Sequence, residues 1–253
     1  LSGTADIVKY DFGYEIDPVW EAGNKNIPGI YIEFKEPWLN PKGFEQIVYD
    51  VLANTQDMNI IEKPEPEDTP FYINNGTINV GNTNGKVILQ TFSLESLVRV
   101  AEVFQGKVPM CFLLWKGTGA TDLTYDDPLG YASFINLGVK YKAHFIGPCI
   151  AGAPNDYPEL DQPWQDYLIH RAKMKNHPYT FDTYDQMAKY FGQYNFGVAD
   201  GMFNPPYLDA LFTNHSDMSI NYMITHGWRK SPASQTLVDA REVLRKLGYL
   251  DNN

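Results

Sequence analysis

The sequence has few cysteines and no excess of basic residues. It contains only two cysteines, Cys111 and Cys149, among 253 residues, which excludes a disulfide scaffold and a zinc ribbon. Lysine and arginine number 20 against 31 aspartate and glutamate, giving a formal net charge of −11. A surface this acidic repels phosphate backbones and anionic lipid heads, so we expect no nucleic-acid or membrane-surface partner. It does suit divalent cations.

Long apolar runs are also missing. No stretch approaches the roughly 18 uninterrupted apolar residues that span a bilayer, so we expect no membrane insertion. The sequence begins at Leu1, with neither Met nor a charged-then-apolar leader, and we interpret it as a processed or excised chain. Hydrophobic residues make up 43% and charged residues 20%, which is a globular composition.

Two N-x-[ST] sequons bear on localisation. They are Asn75-Gly76-Thr77 and Asn214-His215-Ser216, both in polar, loop-like stretches. Each triplet alone is a weak signal because such triplets arise by chance. Together with the acidic surface they predict a secreted or extracellular glycoprotein, periplasmic if bacterial, with glycans on Asn75 and Asn214.

Short apolar or aromatic runs predict six strands, several of them apolar throughout, as in parallel strands covered on both faces. A weaker strand is predicted at Asp6–Tyr10. The six stronger candidates are Gly29–Lys35, Lys86–Phe92, Val108–Trp115, Ala143–Cys149, Pro178–Asp182 and Val198–Phe203.

Amphipathic stretches separate these runs. Apolar spacing of i, i+3, i+4 predicts helices over residues 44–52, 94–104, 184–194 and 237–247. Asn40 with Pro41 would begin the first helix. Strands that alternate with helices are typical of βα units in a parallel sheet, so the fold class is α/β.

We interpret the chain as a single domain. Residues 1–28 would lead into the βα units, residues 29–212 would contain them, and residues 213–253 would form a C-terminal extension. A (β/α)8 barrel takes about 250 residues, which matches the length, but only about six strands are apparent. Either the sheet is open, or a TIM barrel lacks its opening strands in this chain.

Glu33 and Lys35 end the first strong strand, in GIYIEFKEPW. Alternation places both side chains on one face of that strand, at the end where barrel enzymes carry their active sites. A carboxylate and an ammonium there could serve as a metal ligand and a phosphate-binding cation. The alternative is an exposed ion pair at a strand end, which spacing alone favours.

Four motifs in collinear order carry a family resemblance: GIYIEFKEPW, KVILQTFSLESLVRV, HPYTFDTYDQMAKYF and GVADGMFNPPYLDAL. From about Ile16 to Phe212 the chain resembles the periplasmic-type glycerophosphodiester phosphodiesterases. These are calcium-dependent TIM-barrel hydrolases of deacylated phospholipids. The resemblance therefore implies a TIM barrel, a glycerophosphodiester substrate and a Ca2+ or Mg2+ cofactor.

The resemblance also implies site residues. Glu33 matches the metal carboxylate of the family's E-x-K motif, and Lys35 matches its phosphate-contacting, catalytic lysine. Asn204 and Pro205 stand where the family has Thr-Asp, which departs from its pattern. Substrate-binding roles are implied for four further residues: Gln90, Phe92, Tyr179 and Phe203.

The family's catalytic histidines have no counterpart here. Its opening strands carry H-R-G and H-D motifs, whose histidines act as general acid and base, and its E-x-D metal pair is matched only by Glu15 and Asp17, just before the E-x-K strand. His170-Arg171 is followed by Ala172 within a predicted helix. We read Cys111 and Cys149 as small buried residues that do not pair.

Two main interpretations follow. The first is a phosphoric diester hydrolase that cleaves glycerophosphodiesters to glycerol 3-phosphate and an alcohol, and is inactive as this chain alone. An N-terminal companion chain or a homo-oligomer would then complete it. The second is a catalytically dead relative acting as a secreted binding, storage or matrix protein. A different α/β hydrolase is a third interpretation.

Overall fold

The computed structural model describes residues 30–35, 37–54, 87–106, 108–115, 125–190 and 208–226. Five strands and six helices lie within these ranges. The strands are β1 (Ile30–Glu33), β2 (Val87–Thr91), β3 (Met110–Leu114), β4 (Phe145–Pro148) and β5 (Lys175–Asn176). The helices are α1 (Phe44–Asn54), α2 (Leu94–Phe104), α3 (Pro128–Lys140), α4 (Pro163–Arg171), α5 (Tyr184–Ala188) and α6 (Ser216–Thr225).

The five strands form one sheet in which every neighbouring pair is parallel and the spatial order follows the chain. One described helix lies between each strand and the next, from α1 to α4. The α/β class and the parallel sheet predicted from the sequence are therefore confirmed. Right-handed crossovers that always move in the same direction place all their helices on one face of the sheet.

The packing agrees with this one-sided arrangement. Alternate strand residues such as Leu89, Phe112 and Ile146 join one buried cluster with helix residues such as Leu97 and Phe134. We call this helix-covered side the outer face. Phe112 stacks on Phe134, with 4.3 Å between ring centroids. The outer face therefore holds the main hydrophobic core.

The opposite, inner face carries a separate buried cluster. Cys111, Leu113 and Phe145 form its centre, and Tyr31, Ile88, Phe92 and Tyr179 pack against them. Gly147 belongs to the same face, where an added Cβ would lie 2.7 Å from Leu113 Cδ2 and 2.9 Å from Cys111 Sγ. The inner face is therefore tightly filled along the middle of the sheet.

The two ends of the sheet curl toward each other. Residues 208–212 run alongside 176–181, with Asp209 N donating to Asn176 O at 3.0 Å and Phe212 N donating to Pro178 O at 3.0 Å. The Phe212 ring then meets the Tyr31 ring of β1, with centroids 4.7 Å apart. Phe212 therefore joins the last described segment beside the sheet to its first strand.

One predicted strand differs in the structure. The strand expected at Pro178–Asp182 is instead β5 at Lys175–Asn176, and residues 178–182 keep only an isolated parallel bridge between Tyr179 and Cys149. His177 N and Tyr179 N still donate to Ile146 O and Pro148 O, at 2.9 and 3.0 Å, but Pro148 has no N–H to donate to β5 in return, which accounts for the interruption. The helix expected over 184–194 begins as α5 and stays helical through Tyr190, and residues 191–194 lie outside the described residues.

Asn40 does not begin α1, contrary to expectation. Its side-chain amide donates to the carbonyl of Lys35 at 2.9 Å, and the helix begins at Phe44. Ser93, by contrast, caps α2, because its side chain accepts a hydrogen bond from Ser96 N. Asn40 therefore stabilises the loop that follows β1.

Three predicted elements fall outside the described residues, whereas the prediction about membrane spans can be compared with the described helices. The strands expected at Asp6–Tyr10 and Val198–Phe203 and the helix expected over 237–247 lie in undescribed parts of the chain. Within the described ranges, every helix is too short or too polar to span a bilayer.

Candidate functional site

Glu33 and Lys35 lie on the inner face at the carboxyl end of β1. Phe34 between them is buried in the outer-face core, so alternation directs its two neighbours to the opposite side. Lys35 Nζ lies 3.2 Å from Glu33 Oε1, and the two side chains are 72% and 22% exposed. The ammonium is therefore open to an incoming anion while one carboxylate partly balances its charge.

Several hydrogen bonds hold the backbone around this pair. Phe34 N donates to Gln90 O at 2.8 Å, and Thr91 Oγ1 donates to Phe34 O at 2.8 Å. Beyond the strand, Asn40 holds the Lys35 carbonyl, and Arg99 Nη1 donates to Pro37 O at 3.1 Å. These hydrogen bonds connect the loop after β1 to β2 and α2 and so fix the backbone that carries Lys35.

Gln90 lies beside Glu33. The two residues are register partners on adjacent parallel strands, which are about 4.8 Å apart. Gln90 Oε1 is buried and has no hydrogen-bond partner among the described residues. A buried acceptor without a donor costs about 1–3 kcal/mol, so a ligand hydroxyl or ammonium that donated to Gln90 would be bound favourably.

Four aromatic rings continue the inner face at the same end of the sheet; we call them the aromatic wall. Phe92 follows β2, Trp115 follows β3, and Tyr157 and Tyr179 lie in the segments after β4 and β5. Centroid separations are 6.3 Å for Trp115–Tyr157, 6.0 Å for Tyr157–Tyr179 and 5.7 Å for Tyr179–Phe92. All three contacts are edge-to-face, so the wall is continuous across β2 to β5.

The inner face also holds a buried histidine. His177 stacks on Phe145 with centroids 4.0 Å apart, and its Nδ1 lies 3.0 Å from the Tyr31 hydroxyl. Burial lowers the pKa of His177 to about 4, so its ring is neutral at neutral pH. His177 is therefore a structural partner of Tyr31 and a poor general acid near pH 7.

His144 is likewise part of the core. It is fully buried, and its Nδ1 accepts from Met110 N at 3.1 Å. Burial lowers its pKa to about 3. His144 is thus held neutral and has a structural role in the core.

Both cysteines are free thiols in the structure. Cys111 is opposite Phe145 in the β3–β4 register, so Cys149 lies four residues farther along. At about 3.3 Å per residue that offset exceeds the roughly 7 Å Cα limit for a disulfide. Burial raises the pKa of each thiol to about 12, which makes both poor nucleophiles.

Glu33 is the predicted metal carboxylate, and a metal ion would need further ligands beside it. Among the described residues, no three His, Cys, Asp or Glu side chains come together in an arrangement that could hold a metal ion. Calcium takes six to eight oxygen ligands, so the described residues do not make up a calcium site by themselves. Glu15 and Asp17, the other metal candidates, lie outside the described ranges.

Of the three remaining predicted site residues, the structure describes one. Phe203 and Asn75 lie outside the described residues. Asn214 is exposed, and its Nδ2 donates to Asp182 Oδ2 at 2.8 Å while its backbone N donates to Asp182 Oδ1 at 2.8 Å. An N-linked glycan on Asn214 would replace one of the two Nδ2 hydrogens, so the contact with Asp182 bears directly on its modification.

A second polar cluster, which the sequence analysis did not predict, ties α4 and β5 to the segment after residue 207. Asp209 accepts from Lys175 Nζ and from Asn176 N, each at 2.8 Å, and its Oδ2 lies 2.8 Å from His170 Nε2. His170 Nδ1 lies 3.1 Å from Asp166. We call these five residues the Asp209 cluster.

The charges in the Asp209 cluster reinforce one another. Although burial lowers the pKa of His170, the carboxylates of Asp166 and Asp209 outweigh it and raise that pKa to about 10. Burial raises the pKa of Asp209, but His170, Lys175 and the Asn176 N–H outweigh it and lower that pKa to about 2. His170 and Asp209 are therefore both charged between these values, whereas burial raises the pKa of the Asp166 carboxyl above its usual range.

Comparison with models of known protein families gives no match, and comparison with curated protein sequences gives no significant match. We therefore infer the function from the geometry of the inner face.

Proposed function

We propose that the curled sheet belongs to a TIM-type (β/α) barrel that binds glycerophosphodiesters, as in the glycerophosphodiester phosphodiesterases. One observation carries this proposal: Glu33, Lys35 and Gln90 share the inner face at the carboxyl end of adjacent parallel strands. In barrels built from consecutive βα units, that end carries the active site. The sheet order and the one-sided helices are the features that such a barrel requires.

Each residue has a role that follows from its position. Lys35 is the phosphate-binding group, because its ammonium is exposed and points to the same side as Glu33. Gln90 accepts a hydrogen bond from a glycerol hydroxyl, because its Oε1 is buried without a donor among the described residues. Glu33 orients Lys35 and provides one carboxylate for a divalent cation.

Hydrolysis needs more than these residues. A hydroxyl or water must attack phosphorus, and the leaving alkoxide must be protonated, which requires a general acid and a general base. Lys35 stabilises the charge that develops on the phosphoryl oxygens. His144 and His177 are neutral and engaged in the core, so neither serves as the acid or the base, and a companion chain or a second copy would supply them.

The second candidate is a catalytically dead relative that binds glycerophosphodiesters in a secreted storage or matrix role. The low pKa values and core contacts of His144 and His177 favour it. The two candidates share the phosphate site and differ only in whether the bound diester is cleaved.

The deciding experiment separates binding from cleavage. Binding of glycerol 3-phosphate to the full chain is measured by calorimetry, and phosphorus NMR follows glycerophosphocholine with and without Ca2+. We expect Lys35→Met to weaken binding at least several-fold, while Lys42→Met, an exposed lysine on the same loop, leaves it unchanged. Equal affinity in both variants would overturn the phosphate site. Calcium-dependent release of glycerol 3-phosphate would establish the enzyme. Binding without release, both by this chain alone and by native material that keeps any companion chain, would establish the second candidate.

A further inference from the structure

The first strand of the sheet has an open edge. Phe34 N donates to Gln90 O on β2, and backbone groups alternate in direction along a parallel strand, so those of Tyr31 and Glu33 point away from β2. Among the described residues, no strand lies on that side, because β1 stands at one end of the strand order. At the other end of the sheet, residues 208–212 already run along β5. The edge of β1 therefore offers its N–H and C=O groups to a further strand.

Apolar side chains are exposed beside this edge. Ile30 on the outer face of β1 is 37% exposed, whereas its register partner Val87 on β2 is fully buried. Ile47 and Val51 of α1 are 56% and 47% exposed. Isoleucine and valine are among the residues most often found buried. The cover of the outer face therefore ends at β1, before the apolar surface does.

These three side chains lie on the same side of the molecule. Tyr49 of α1 contacts Phe104 of α2, with ring centroids 5.2 Å apart. Ile47 and Val51 are each two residues from Tyr49, which at about 100° per residue places them on the side of α1 opposite α2. Since α2 follows β2, that side faces past the open edge of β1, where Ile30 lies. We call Ile30, Ile47 and Val51 the β1 patch, and such a grouping of apolar side chains marks an interaction surface.

Residues 1–29 are the segment of this chain best placed to cover the β1 patch. They come directly before β1 and contain the strand predicted at Asp6–Tyr10. The following residues, 11–29, exceed the dozen or so that a crossover between parallel strands requires. A right-handed crossover from such a strand to β1 passes over the outer face on the side away from α2, which is where the patch lies. Residues 55–86, by contrast, lead from α1 to β2 and so away from the open edge.

We propose that residues 1–29 add a further unit to this sheet, with Asp6–Tyr10 paired in parallel to the open edge of β1 and residues 11–29 covering the β1 patch. Several apolar side chains can provide that cover: those of Phe12, Tyr14, Ile16, Val19 and Trp20. This assignment depends on the sheet and its edge alone, and it holds whether or not the protein binds glycerophosphodiesters.

The test measures how fast a thiol on the β1 patch reacts in the full chain. Ile47→Cys replaces a side chain that is 56% exposed, and Gln46→Cys is the matched control, at an exposed position on the same turn of α1. Cys111 and Cys149 are buried, so the wild-type chain gives the slow background. We expect maleimide to label Ile47→Cys at least about tenfold more slowly than Gln46→Cys, because the reaction must wait for local opening of the segment. Equal rates would overturn the proposal.

Variants in the segment identify what covers the patch. Ile7→Asp combined with Val8→Asp puts a charge on each face of the proposed strand and should restore fast labelling of Ile47→Cys. Asn24→Asp combined with Asn26→Asp adds the same charge to a polar stretch and should leave the labelling slow. Labelling that stays slow in the Ile7→Asp/Val8→Asp variant would mean that another segment or chain covers the patch. A rate that rises on dilution would mean a second copy, and either result would overturn the assignment to residues 1–29.

Hydrogen exchange tests the strand pairing separately. The backbone amides of Tyr31 and Glu33 should exchange slowly in the wild-type chain, and at least about tenfold faster in the double aspartate variant of the predicted strand. The amide of Leu89 donates to Pro109 O at 2.9 Å inside the sheet, so its unchanged exchange shows that the sheet is intact. Exchange of Tyr31 and Glu33 at the rate of open amides in the wild-type chain would overturn the pairing. Neither measurement includes a phosphate ligand, so a negative result here leaves the phosphate site unaffected.

Discussion

The Tyr31 hydroxyl on β1 lies 3.0 Å from Nδ1 of His177, which directly follows β5. This hydrogen bond crosses the inner face between the two edge strands of the sheet. Because His177 is neutral, its Nδ1 can accept a hydrogen bond from the tyrosine hydroxyl. The curl of the sheet is thus stabilised by a direct polar contact as well as by the Tyr31–Phe212 ring contact.

Removing the Tyr31 hydroxyl tests that contact. Tyr31→Phe keeps the ring against Phe212 but leaves a buried nitrogen of His177 without its donor. We expect the free energy of unfolding to fall by about 1–3 kcal/mol, measured by urea denaturation. Tyr184→Phe, on a half-exposed ring of α5, is the control and should change stability by less than about 0.5 kcal/mol. Equal losses in the two variants would argue against the contact.

The pKa values of three histidines should be shifted in opposite directions. His177 and His144, with pKa values of about 4 and 3, should stay neutral well below pH 6.5, while His170, with a pKa of about 10, should stay charged well above it. Ring-proton NMR across pH 4–9 measures this directly. A midpoint near 6.5 for His170 would contradict the Asp209 cluster.

These shifts also set the pH dependence of stability. Between about pH 6.5 and 4 the unfolded chain protonates His144 and His177 while the native chain does not, so stability falls as pH falls. For His170 the native state holds the extra proton, so its contribution is complete below about pH 6.5 and is lost as pH rises toward 10.

Asp209 should be the most sensitive member of its cluster. Asp209→Asn removes the charge that pairs with His170 and Lys175, so we expect a loss of about 1–3 kcal/mol in unfolding free energy. The pKa of His170 should fall in the same variant. Asp126→Asn is the control, because Asp126 is exposed on another loop. An unchanged His170 titration in Asp209→Asn would show that the carboxylate does not act on that ring.

Gly147 should tolerate no side chain. An added Cβ would lie 2.7 Å from Leu113 Cδ2, 2.9 Å from Cys111 Sγ and 3.1 Å from His177 O, and the last of these is backbone. We expect Gly147→Ala to cost about 1–3 kcal/mol, measured by thermal and urea unfolding. Adding Cys111→Ala removes one clash, so the double variant should lose less than the sum of the single losses.

Gly138 provides the comparison. A Cβ there would approach only the terminal methyl groups of Ile146 and Met174, at 3.2 and 3.3 Å. These side chains can move, and alanine favours a helix interior by up to about 1 kcal/mol over glycine. Gly138→Ala should therefore be close to neutral, and a loss as large as that of Gly147→Ala would contradict the packing argument.

The first four strands could be predicted from the sequence because their apolar runs are long for strands and bounded by polar residues. Strand β5 could not, since Lys175 and Asn176 are polar and owe their pairing to β4 and Asp209. Helix α3 was missed because two glycines and several aromatics blur its apolar stripe. Its start had a readable signal, since Asp127 caps it and Pro128 follows at the first position.

The candidate site also has a part that could be predicted from the sequence and a part that could not. Alternation around Phe34 is enough to place Glu33 and Lys35 on one face, because strand periodicity is local. The aromatic wall depends on long-range folding, since Tyr157 and Tyr179 belong to segments that only tertiary packing brings to Trp115. The Asp209 cluster likewise joins residues of α4, β5 and a later segment.

The strand order has a consequence for how the chain acquires its structure. Each strand pairs with the one made just before it, so a nascent chain leaving the ribosome can add one unit at a time to what is already formed. The Tyr31–His177 contact is different, because its residues are 146 positions apart. Loop-closure entropy makes such distant contacts late ones, so we expect synthesis to proceed with the inner face still open, and the aromatic wall to be completed only after Tyr179 has emerged.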